Sequence, residues 1–122
     1  MMMRRRLVLL AACAFSATAL GAPGPDETKK LVGTYSIGTL SLTDPAPDER
    51  KDALLRLDLT GGAARELFNA LHAKAQRDEC LGDGTMTKTS GQIVCSRHPG
   101  GAHECWIGID LQHQSLASAA AC

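Results

Sequence analysis

The nearest approach to a reactive set in this chain is "RHPGGAHEC", which places His98, His103 and Glu104 within seven residues of one another. Two imidazoles and a carboxylate are the donor types of a divalent-metal or hydrolytic-metal site. Metalloproteases set such residues one helical turn apart, and Pro99-Gly100-Gly101 excludes a helix here. What remains is a loop that could bind a small ligand or a divalent metal through His98, His103 and Glu104. Its plainer reading is a solvated hairpin turn. Asp78, Glu79 and Asp83 around Cys80 do not follow the spacing of a calcium loop and read as turn acids. No G-x-S-x-G elbow occurs, so hydrolase activity stands only as a remote alternative, and no residue is assigned as catalytic.

Cysteines supply the other chemistry. The chain has five, and the N-terminal segment accounts for the odd one. Arg4 to Arg6 precede an apolar run from Leu7 to Leu20, interrupted only by Ser16 and Thr18. The run falls short of the about 20 residues that span a bilayer, but it matches a secretory signal in length and flanks. Two cleavage readings compete within it. Leu10-Ala11-Ala12-Cys13 fits a lipobox, in which Cys13 would carry a lipid anchor. Ala17-Thr18-Ala19 and Ala19-Leu20-Gly21 supply the small residues of an ordinary cleavage site, and the polar break at Pro23 to Asp26 favours them. Residues 1–22 are therefore expected to be a cleaved signal peptide and 23–30 a flexible leader.

Either way Cys80, Cys95, Cys105 and Cys122 remain, an even number in an oxidising compartment, so two disulfides are expected. The gaps between these cysteines are long and contain no C-x-x-C, which argues against a zinc site. If the strands carrying Cys95 and Cys105 form an antiparallel hairpin, these two pair, and Cys80 then joins Cys122. Pairing of Cys80 with Cys95 and of Cys105 with Cys122 remains open.

The elements that must hold these residues are legible in outline. "ALLRLDLTGG" alternates, sending Leu55, Leu57 and Leu59 to one face. Gly61-Gly62 reads as a turn, and "AARELFNALHAKAQ" repeats Ala64, Leu67, Phe68, Leu71 and Ala75 at helical spacing over three to four turns. Upstream, Tyr35 and Ile37 mark a strand, with Leu40 and Leu42 as further apolar positions, and Thr43 to Lys51 reads as an exposed, proline-broken loop. Three strands fit the last third, separated by glycine-rich turns. On the final one Cys105, Ile107, Ile109 and Leu111 share a face, and Trp106 lies on the other. The tail "SLASAAAC" would fray without a disulfide at Cys122.

The expected architecture is α+β: an antiparallel sheet of about four or five strands, order roughly ββαβββ, with one main amphipathic helix packed on it, in a single small domain over 31–122. Losing the three leader arginines leaves 10 basic against 13 acidic residues, a net charge of about −3. No basic stripe survives, so nucleic acid is excluded as a partner. No cofactor is implied. A membrane would be engaged only through a lipid on Cys13. The leader's form and the Ala/Arg/Gly-rich composition point to a bacterial source. The expectation is an exported periplasmic or secreted binding module of the bacterial envelope, acting on a protein partner as an inhibitor or accessory protein. Outer-membrane anchoring through Cys13 is the alternative location, and Trp106 the candidate contact residue.

Overall fold

The computed structural model describes residues 27–120; the expected signal peptide, Cys13 and Cys122 lie outside them. Period-two patterning sets the sheet. Strands β1 (Gly33–Gly38) and β2 (Leu54–Thr60) pair antiparallel and lead into helix α1 (Gly61–Ala70). Five further strands follow: β3 (Gln76–Arg77), β4 (Met86–Ser90), β5 (Ile93–Arg97), β6 (His103–Asp110) and β7 (Ser115–Ala117). The sheet is antiparallel in the order β1-β2-β6-β5-β4-β3, with β7 also on β6. Eight residues long and central, β6 takes β2 along one side and β5 and then β7 along the other.

Among the described residues the α+β class and the one packed helix agree with expectation, and the strand count does not. Seven strands among the described residues replace four or five, and the order is ββαβββββ. The two unexpected strands are those with least pattern. β3 has two exposed polar residues, and β7 comes from the alanine-serine tail, where pairing with β6 rather than propensity supplies the order. Leu111 falls beyond the end of β6 and is exposed, so it does not extend that strand's apolar face.

The helix begins earlier and ends sooner than its periodicity suggests. Thr60 is still extended, and Gly61 turns the chain at φ +63°, a left-handed conformation open to glycine at little cost. Gly61-Gly62 thus belongs to the first turn of α1. Helical geometry stops at Ala70; Leu71 is extended, although its N–H still donates to Leu67 O. Lys88 Nζ, from β4, donates to the carbonyls of Phe68 and Leu71 at 3.0 and 3.3 Å. A cation on these last carbonyls closes the helix where its own hydrogen bonds end. Leu71 and Ala75 still pack on the core, reached by an irregular chain.

The core lies between α1 and one face of the sheet: Leu59, Ala64, Phe68, Cys95 and Cys105, with Leu57, Leu67, Ile93 and Ile107 around them. Burial of a side chain such as Phe68 contributes roughly 2–3 kcal/mol. Cys95 and Cys105 stand directly opposite in register, with Cα atoms 4.0 Å apart, and form a disulfide. It sits under the helix where Ala64 permits close approach. The hairpin pairing expected from sequence is the observed one. Its companion, Cys80 to Cys122, falls on a residue outside those described; Cys80 is not a free thiol.

Candidate functional site

Strand alternation sends Trp106 to the face opposite the helix. Asp58 of β2 and Val94 of β5 are its register neighbours, and Arg56 lies diagonally across. The sheet alone would leave this face flat. Two segments raise walls on it. The first is the loop from Asp78 to Thr85. Asp78 Oδ1 accepts from the backbone N–H groups of Cys80 and Leu81 at 3.0 and 3.2 Å, which folds the turn. Asp78 Oδ2 accepts from Thr87 Oγ1 at 3.0 Å, and Thr87 shares a 2.8 Å hydrogen bond with buried Ser96. One carboxylate therefore shapes the loop and ties it to the sheet. The second wall is the tail. It lies against Gly108, where a β-carbon would stand 2.5 Å from Ala117 O and 3.2 Å from Ala119 Cβ.

Between these walls is a groove of about 390 Å³ lined by Trp106, Val94, Leu81, Cys80, Arg56, Asp78, Thr87 and Ala120. The half-buried indole edges this groove, as its position on β6 suggested. Across the strand pair from the indole, Asp58 Oδ1 is buried with no hydrogen-bond partner; Asp58 lines not this groove but a neighbouring hollow with Thr34, Tyr35, Ser36 and Arg56. A buried carboxylate oxygen left unpaired is costly and favours any donor brought to it. The sequence reading missed Asp58 and the anchoring role of Asp78. A signal for Asp78 was present, because aspartate readily accepts from N–H groups two and three residues ahead.

The histidine loop is arranged differently from a chelate. His98 Nε2 lies 3.2 Å from Glu104 Oε2, and His98 Nδ1 lies 3.2 Å from Thr85 Oγ1. Thr85 Oγ1 in turn donates to Asp83 Oδ1 at 2.6 Å. That bond, with the Thr85 backbone N–H, holds the Asp83 carboxyl below its ordinary value. His103 is the next residue along the strand from Glu104, so its ring turns to the helix side, edge-on to Phe68 with centroids 5.2 Å apart. His98 and Glu104 are thus brought together, and His103 is engaged elsewhere. Among the described residues no three histidine, cysteine or acidic side chains converge on one point.

The order Glu104, His98, Thr85 matches an acid-imidazole-hydroxyl chain. However, Thr85 is fully buried and its hydroxyl proton is directed to Asp83, so it cannot reach a substrate as a nucleophile needs to. The chain braces the β5–β6 hairpin against the loop. A cavity of about 450 Å³ at this end of the sheet is lined by Gly61, Gly62, Arg65, His98 and His103 among others, with exposed Arg65 as its cation.

Comparison with known protein families, with characterised proteins and with solved structures returns no match. The disulfide points to an oxidising environment outside the cytoplasm. Among the described residues no helix is long and apolar enough to cross a membrane.

Proposed function

We propose that this chain is an exported, non-catalytic binding module of the bacterial envelope, holding a protein partner through the Trp106 groove as an inhibitor or accessory factor. One observation carries the reading: a half-buried indole at the edge of a groove built by a loop and a tail that both leave the sheet to make it. Tryptophan in such a setting is a common anchor for a partner side chain. The N-terminal signal pattern and the disulfide support export to the periplasm or medium, with anchoring through Cys13 as the alternative. Ala120, two residues before Cys122, lines the groove together with Cys80, which supports the second bridge, Cys80 to Cys122, as the clasp of the tail.

The test is photo-crosslinking in the source cells, with a photoreactive residue in place of Leu81 on the groove rim. A discrete adduct that disappears in a Trp106→Ala background, while circular dichroism is unchanged, supports the reading. Absence of any adduct at Leu81 that depends on Trp106 removes it. Intact mass of the exported protein, before and after reduction, reports the mature terminus, any acyl group on Cys13 and the number of bridges.

A further inference from the structure

We propose that a second copy of this chain pairs with β1, so that two sheets join edge to edge through antiparallel β1 strands about a twofold axis. The inference is independent of the Trp106 groove and rests on the other face and edge of the sheet.

The two ends of the sheet are built differently. At one end β3 is two residues long and carries Arg77, the short, charged form that discourages pairing. At the other, β1 is six residues, GTYSIG, with no charge, no proline and an unbroken register to β2. Among the described residues no strand lies on its outer side. Val32 O accepts from Thr60 N and Gly38 O from Ala53 N, so the even-numbered residues turn their backbone groups inward. Alternation then directs the N–H and C=O groups of Gly33, Tyr35 and Ile37 outward.

The same odd-numbered residues lie on the apolar face. Ile37, Leu55, Ile109 and Leu116 form one row across four strands, and Tyr35, Leu57 and Ile107 form a second across three. Helix α1 reaches Leu57 and Ile107 and leaves the outer part uncovered, with Tyr35 74%, Ile37 56% and Leu116 51% exposed. Contiguous apolar surface ending at an unpaired edge marks an interface.

Charge and symmetry select the occupant. An isologous contact must complement itself, and a neutral strand meets no repulsion from its own copy. Antiparallel pairing centred on Ser36 sets Tyr35 of each copy against Ile37 of the other, a favourable aromatic and β-branched cross-strand pair. It also brings Lys30, on the approach to β1, toward the acidic exit of the other copy at Asp44, while Lys29 is held by Glu66 of its own chain at 2.8 Å.

Sedimentation velocity on the processed protein, expressed from the full-length sequence, tests the proposal together with amide hydrogen exchange at low and high concentration. The expected result is a monomer–dimer equilibrium whose dissociation constant rises at least tenfold in Ile37→Lys and is unmoved by Trp106→Ala. Ile37 is exposed, so the lysine leaves the fold intact, which circular dichroism verifies. In the concentrated sample the amides of Tyr35 and Ile37 exchange slowly, and in the dilute sample fast; those of Thr34 and Ser36, turned toward β2, stay protected in both. A monomer at several hundred micromolar, a dimer indifferent to Ile37→Lys, or Tyr35 and Ile37 amides whose exchange does not change with concentration would each overturn it.

Discussion

Lys88 closes the helix that Phe68 anchors. Its Nζ donates to Phe68 O at 3.0 Å and lies 4.6 Å from the centre of the Phe68 ring, while Arg97 approaches the same ring at 5.4 Å. Backbone capping and cation–π attraction thus converge on one residue of the core. Lys88→Met keeps the apolar stem and removes both effects. Its expected cost is about 1–2 kcal/mol, read as a lower midpoint in urea unfolding with an unchanged slope.

The Cys95–Cys105 disulfide is wholly buried and closes a ten-residue separation. Chain entropy over a loop of that size gives roughly 2–3 kcal/mol. The double variant Cys95→Ala, Cys105→Ala is expected to lose about that amount and, in addition, the packing of both sulfurs under Ala64. Calorimetry beside the parent protein checks this. A melting temperature within a degree of the parent would show that α1 and the strands hold the hairpin unaided.

Much of this arrangement was legible before any coordinates. The alternation of Leu55, Leu57 and Leu59 fixed which face of β2 is apolar, and a separation of ten positions from Cys95 to Cys105, with a glycine turn between, sufficed to pair them. What escaped reading was decided by distant partners. Nothing local ends α1 at Ala70, because Lys88 lies 18 residues further on. Nothing in "SLASAA" is strongly β-forming, and β7 exists because β6 offers it hydrogen bonds. The histidine loop misled for a related reason: His103 and Glu104 are adjacent in sequence, and adjacency on a strand separates them to opposite faces. Trp106 was placed correctly by that same alternation. The groove beside it needed the loop and the tail, which carry no periodicity.

Gly108 is where the tail meets the sheet. A β-carbon there would meet the Ala117 carbonyl and the Ala119 side chain, both closer than ordinary contact allows. Gly108→Ala is therefore expected to displace residues 117–120 from β6 while α1 and the disulfide stay in place. Faster amide exchange in β7, with β2 and β5 unchanged, is the expected signature. A variant with native protection in β7 would mean that the tail shifts to accept the methyl group.

Asp110 gives the fold an acid-sensitive point. Buried at the end of β6, its carboxylate accepts from His113 Nδ1 at 2.7 Å and from the backbone N–H groups of Gln112 and His113 at 2.9 and 3.1 Å. The His113 side chain, followed by these N–H groups, holds the Asp110 carboxyl below its ordinary range against the opposing effect of burial. Asp83 and Glu49 are lowered in the same direction by their own hydrogen bonds, from Thr85 and from the Ser41 backbone. A carboxyl lowered in the folded state adds stability that is full above its unfolded value, about 3.9 for aspartate, and is lost as pH falls through the lowered native value. Stability is thus expected to be flat in this respect at neutral pH and to decline below about pH 4. His113→Ala removes the largest of the lowering contacts on Asp110, so the Asp110 carboxyl should titrate at higher pH in that variant. A carbon-13 titration of the carboxyl groups reads this directly. An Asp110 titration unmoved by His113→Ala would assign the lowering to the two backbone N–H groups alone.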